Sequence, residues 1–146
     1  MPTLTVGQKA PALTATAHTG ETVRLTDLQG ARVLLWFYPK ADTPGCTAQG
    51  CGLRDRAADV ATHGITVLGA SFDTPEENRA FAEKFSFPYK LLSVAPADGV
   101  AWGAAESATQ GNAKRIAYLL AADGTVERAW DPANARTFVT DVLATL

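Results

Sequence analysis

The sequence predicts an α/β fold, with one central mixed sheet, helices on both faces and a β-hairpin at the start. Three observations predict it. Val33-Leu34-Leu35-Trp36-Phe37-Tyr38 is a continuous apolar run of strand length, the pattern of a strand buried on both faces. Segments of helical periodicity alternate with further apolar runs after it, which is the order of a sheet covered by helices. The length, 146 residues with 47% hydrophobic and 19% charged, suits one folding unit with its own core. The chain 1–146 is therefore read as a single domain.

The elements follow in order. Residues 14–17 and 22–25 flank His18-Thr19-Gly20 and read as the hairpin. After the strand at 33–38, residues 39–45 hold two prolines and a glycine and read as a loop. The pattern predicts one helix over 46–62, ended by Gly64. Residues 65–70 are the next strand. Thr74 then reads as an N-cap, Pro75 as the first helical position and Glu77 as the partner that completes a capping box. Phe81 and Phe85, four apart, share the face turned to the sheet. Leu91 and Leu92 form a short strand, and residues 98–104 a short helix. Residues 116–120 and 126–130 flank Ala122-Asp123-Gly124-Thr125, a turn signal. A last helix is expected over 133–145, with Phe138, Val142 and Leu146 on one stripe. His18 and His63 sit in polar, turn-like contexts and read as exposed. Trp36, Trp102 and Trp130 read as core or pocket-rim residues.

Several function classes are disfavoured by composition. A net charge of −2 argues against a nucleic-acid binder, which would carry a basic patch. No apolar run approaches the ~18 residues of a membrane span. Met1-Pro2-Thr3-Leu4-Thr5 has neither a basic region nor an apolar one, so no secretory signal is visible and a cytoplasmic location is expected. Cys46 and Cys51, five positions apart, are too few for a disulfide scaffold. In a reducing compartment such a pair is more often catalytic or metal-binding.

Cys46 falls at the carboxyl end of a buried strand and in the first turn of a helix, where α/β sheets place their sites. Unpaired N–H groups and the positive end of the helix dipole favour an anion there, and a thiolate is one. Cys46 is thus placed to act as a nucleophile. Cys46, Leu53, Ala57 and Val60 share one helix face. Cys51 is turned ~140° away, toward Arg54 and Asp55. Cα atoms five apart in an intact helix are ~8.6 Å distant, and a disulfide needs less than ~7 Å. The two cysteines therefore cannot bond while the helix is formed. Gly50 and Gly52 flank Cys51, each weakening a helix by about 1 kcal/mol relative to Ala, so this stretch reads as able to unwind and bring Cys51 to Cys46.

Other motifs fail on chemistry. Gly45-x4-Gly50 lacks the Lys-Ser/Thr of a phosphate loop. Cys46, Cys51 and the two histidines have the wrong spacing and diverging faces for zinc. A Cys–His acyl-transfer enzyme would need His63 beside Cys46, but His63 stands at the far end of the predicted helix.

Pro39-x-x-x-Thr43-x-x-Cys46 resembles the active-site pattern of the peroxiredoxins. The longer string from Phe37-Tyr38-Pro39-Lys40 through Thr43-Pro44-Gly45-Cys46, then Cys51 and Leu53-Arg54-Asp55, is similar to their bacterioferritin-comigratory-protein or PrxQ branch. Gly7-x-x-Ala10-Pro11 and Arg115, just ahead of the strand at 116–120, extend the resemblance along nearly the whole chain. It implies a thioredoxin-like fold and a thiol peroxidase without metal or organic cofactor. It implies Cys46 as the peroxidatic residue, oxidised to a sulfenic acid by hydrogen peroxide or an organic hydroperoxide. Arg115 would stabilise the thiolate and hold the peroxide. Thr43 would hydrogen-bond thiolate or peroxide, and Pro39 would close the pocket, with Gly45 and the Cys46 amide beside the substrate. Cys51 would resolve the sulfenic acid as an intramolecular disulfide, reopened by a thioredoxin or glutaredoxin-type reductant. The chain is expected to act in antioxidant defence as a monomer, or at most a weak dimer, without nucleic acid or membrane partners. Two positions depart from the pattern: Gln49 stands where the family often has Glu, and Val94 where an acidic residue usually follows the serine.

Two other classes share the fold. A thiol–disulfide oxidoreductase acting on proteins would usually carry Cys-x-x-Cys, which is absent. A non-catalytic binding module would leave Cys46 inert to peroxide.

Overall fold

The computed structural model describes residues 3–146; Met1 and Pro2, part of the N-terminal stretch read above, lie outside them. Its elements are β1 (Thr14–Ala17), β2 (Thr22–Arg24), β3 (Arg32–Phe37), α1 (Pro44–Asp55), α2 (Ala57–Thr62), β4 (Ile65–Ser71), α3 (Pro75–Phe85), β5 (Lys90–Ser93), α4 (Pro96–Ala101), β6 (Ile116–Leu120), β7 (Val126–Trp130) and α5 (Phe138–Leu143). A single 3-10 turn covers Leu25–Leu28.

The strands form one seven-stranded sheet in the order β2-β1-β5-β4-β3-β6-β7. β3, β4 and β5 run parallel, while β1 and β2 on one side and β6 and β7 on the other pair antiparallel, so the sheet is mixed. The apolar run works as expected for a central strand. Val33, Leu35 and Phe37 enter one core, with Trp102 and Tyr118. Leu34, Trp36 and Tyr38 enter the other, with Cys46, Leu53, Phe81 and Phe138. Each such side chain, fully buried, contributes about 1.5–3 kcal/mol, which makes β3 the backbone of both cores. Helices lie on both faces, unevenly: α1, α2, α3 and α5 bury Leu53, Val60, Phe81 and Val142 on the second core, whereas the first is covered by the 3-10 turn and the segment leaving α4. Among the described residues, no helix is long and apolar enough to cross a membrane.

The structure corrects four local readings. The helix expected over 46–62 begins at Pro44 and is two helices, broken at Arg56 (φ −111°, ψ 19°). α1 packs on α5 and α2 on β4, so different partners pull the two halves apart with no glycine or proline at the joint. The last helix starts at Phe138, because the Asn134 side chain accepts the amides of Arg136 and Thr137 and holds that stretch as a turn. The short helix after β5 spans Pro96–Ala101, opening on its proline. His18 is half-buried, and its Nδ1 accepts the Leu91 amide at 3.0 Å. The capping box on α3 is formed as expected: Thr74 Oγ1 accepts the Glu77 amide and Glu77 Oε1 the Thr74 amide. Trp36 and Trp102 are fully buried, while Trp130 is half-buried against Phe138.

Candidate active site

β3 delivers the chain to the site at its carboxyl end. Pro39, half-buried, opens the loop, and Pro44 takes the first position of α1 with Thr43 as N-cap. Cys46 is therefore the third helical residue. The Thr47 amide bonds the Thr43 carbonyl at 2.8 Å, so the amides of Gly45 and Cys46 precede it in the first turn, where N–H groups have no intrahelical acceptor. Cys46 itself is 0% exposed and Cys51 half-buried; both are free thiols. They lie on one intact helix, α1, whose geometry keeps their Cα atoms ~8.6 Å apart.

Arg115, on the residue before β6, closes the site from the neighbouring strand. Its Nη2 stands 3.5 Å from Cys46 Sγ, and its Nη1 donates to Gln49 Oε1 at 2.9 Å. Gln49 is 1% exposed, one turn along from Cys46. It fixes the plane of the guanidinium while adding no negative charge, so the cation faces the sulfur uncompensated. Gly45 makes this approach possible, since a Cβ there would sit 2.8 Å from Arg115 Nη2. Only the far end of a flexible side chain would have to move. Gly45→Ala is therefore expected to keep its melting temperature yet react with peroxide about 10–100-fold more slowly, the size of effect expected when a cation beside a reacting sulfur is displaced; stopped-flow oxidation beside a thermal melt checks both.

Thr43 does not reach Cys46. Its hydroxyl donates to the Lys40 carbonyl at 2.7 Å, which commits its proton and leaves its lone pairs to accept. The sequence reading allowed a bond to the thiolate or to the peroxide. With the proton committed, only acceptance from a peroxide O–H remains.

The loop is clamped from the end of β4 and from α3 by residues the sequence reading did not assign to the site. Asp73 Oδ1 accepts Lys40 Nζ at 2.6 Å, and its Oδ2 accepts the Ala41 amide and Ser71 Oγ, each at 2.8 Å. Lys40 also bonds Glu77 Oε2 at 2.7 Å. Asp42 is held in the left-handed region (φ 59°), a strained place for a non-glycine residue, with both carboxylate oxygens on Lys84 Nζ. Behind the loop, the buried Tyr38 hydroxyl donates to Asn78 Oδ1 at 2.6 Å; burial pushes this phenol up. One signal was available for Asp73: it follows the carboxyl end of β4, beside the end of β3.

The Lys40 ammonium, then the Thr74 amide and hydroxyl, lower the Glu77 carboxyl from 4.5 to about 2. A carboxyl depressed in the folded state adds stability that is present above its ordinary value and lost as pH falls through the folded one. The melting temperature is therefore expected to decline between pH 4.5 and about 2, and less so in Glu77→Gln, as pH-dependent thermal melts of both proteins would show.

Residues 6–129 match the model of the AhpC/TSA family. The chain is 44% identical over 135 residues to peroxiredoxin Bcp of Escherichia coli strain K12, covering 88% of this chain and 86% of the relative. The chain is a peroxiredoxin of the AhpC/TSA family. Its fold superposes on peroxidoxin BcpB from Mycobacterium tuberculosis with a TM-score of 0.90, at 28% identity over 97% of this chain and 96% of that one. It superposes likewise on the bacterioferritin comigratory protein of Xanthomonas campestris, at a TM-score of 0.84 and 25% identity, over 97% and 96%. The thioredoxin-like fold expected from the resemblance is thus the fold observed, and the chain is a thiol-dependent peroxidase. In this peroxiredoxin, Cys46, Gly45, Gln49 and Arg115 meet at the start of α1, whereas the Thr43 hydroxyl turns back to the Lys40 carbonyl and Cys51 stands apart on the same helix.

Proposed function

We propose that Cys46 is the peroxidatic residue and Cys51 the resolving one. The Cys46 thiolate attacks one oxygen of hydrogen peroxide or an organic hydroperoxide. The S–O bond forms, the O–O bond breaks, and the leaving oxygen takes a proton to depart as water or alcohol. Charge moves from sulfur toward the leaving oxygen, so a fixed cation and helix-end amides stabilise the transition state. Arg115 supplies the cation, Thr43 accepts from the peroxide, and Pro39 shields the sulfur from water. After α1 unwinds locally, Cys51 attacks the sulfenic sulfur, an S–S bond forms, and the hydroxyl leaves as water with the Cys51 proton. A dithiol reductant of the thioredoxin or glutaredoxin type supplies two electrons to reopen the disulfide. No cofactor enters this cycle.

The observation that supports this most directly is Arg115 Nη2 at 3.5 Å from a sulfur in the first turn of a helix. We place the protein in the cytoplasm as a monomeric antioxidant enzyme with a peroxide and a small thiol protein as its partners. The test is NADPH consumption with peroxide, thioredoxin and thioredoxin reductase. Turnover dependent on all three is expected; insulin reduction faster than peroxide reduction would point to a protein thiol–disulfide oxidoreductase instead.

A further inference from the structure

Gly50 was read above as a weak point of the helix, yet the structure holds it on two sides. Its carbonyl accepts the Tyr89 hydroxyl at 2.8 Å, a bond buried from solvent. The space a Cβ would occupy is filled by the Phe87 ring, whose Cζ would lie 2.5 Å from it. One turn on, Arg54 Nη1 donates to the Phe85 carbonyl at 2.9 Å. All three contacts come from one stretch, the end of α3 and the entry to β5, and all three fall on the part of α1 that carries Cys51. The stretch is itself firmly seated. The Phe87 and Tyr89 rings stack at 5.1 Å, Phe87 meets Phe81 at 4.9 Å, Tyr89 meets Trp36 edge-on at 6.1 Å, and Lys90 pairs with Leu68 of β4. Cys46 is held by a different element, through Arg115.

We infer that Phe87 and Tyr89 are positioning residues for the resolving step, a latch that sets how fast the Cys51 turn leaves the helix and hence how long the Cys46 sulfenic acid persists. The inference rests on the roles proposed for the two cysteines. Disulfide formation needs the Cα atoms to close from ~8.6 Å to under ~7 Å. The turn cannot make that move without breaking the Tyr89–Gly50 bond and pulling Gly50 off the Phe87 ring. While the latch holds, a second peroxide competes for the sulfenic acid and oxidises it to sulfinic acid, releasing water or alcohol.

The test is a rapid-quench experiment on the reduced protein. Hydrogen peroxide is added at one equivalent and in excess, and dimedone trapping with mass spectrometry follows sulfenic acid, disulfide and sulfinic acid. Tyr89→Phe removes only the hydroxyl. Disulfide formation is expected to quicken roughly fivefold, the factor that one ordinary hydrogen bond converts to. The sulfinic fraction in excess peroxide falls in step, and the rate of sulfenic acid formation stays unchanged. Phe87→Leu, read in its place if Tyr89→Phe loses the native far-UV spectrum, is expected to move disulfide formation the same way. Disulfide formation unchanged or slowed, with the first step intact, overturns the latch. No Cys46–Cys51 disulfide in the unsubstituted protein overturns instead the role of Cys51.

Discussion

Cys46→Ser is expected to reduce peroxide turnover to the uncatalysed background. A hydroxyl in the same place carries no appreciable negative charge near neutral pH, so the helix end and Arg115 have no anion to stabilise and the nucleophile is lost. Cys51→Ser should behave differently. It is expected to consume the first equivalent of peroxide at the normal rate and then to lose turnover, leaving a sulfenic acid that thioredoxin alone does not recycle and that only further peroxide oxidises, to sulfinic acid. The NADPH-coupled assay, run beside a single-turnover peroxide titration, separates the two outcomes: both variants fail the first, and only Cys46→Ser fails the second.

Arg115→Ala is expected to slow oxidation of Cys46 by about 10²–10³-fold, the usual cost of removing one fixed donor from developing charge. The guanidinium is tied by Nη1 to Gln49 while Nη2 faces the sulfur. A lysine supplies a point charge but cannot serve both partners in one plane, so Arg115→Lys should recover only part of the loss. Stopped-flow rate constants for the three proteins, measured at one ionic strength, check the order.

What could be read from the sequence was what local chemistry decides. The 33–38 run supplies the interior strand β3, between β4 and β6, because only a strand with two buried faces suits six consecutive apolar residues, and the Thr74–Glu77 box formed because its partners are three residues apart. The break at Arg56 and the shortened last helix were hidden for different reasons. The first is set by which elements α1 and α2 pack against, the second by a side chain competing for backbone amides. At the site, Cys46 and Arg115 stood out as residue types in a motif. The Asp73–Lys40 clamp and the Phe87–Tyr89 latch did not, since each joins segments more than thirty positions apart. Gln49 was noticed as a departure from pattern, and its position shows what the change preserves: an acceptor for Arg115 without a counter-charge.

The most direct measurement is to give the reduced protein one equivalent of hydrogen peroxide, map its disulfides by mass spectrometry and follow its far-UV circular dichroism. A Cys46–Cys51 bond within one chain, formed together with a loss of helical signal, is the predicted result. Unmodified thiols, or a disulfide joining two chains, would contradict it.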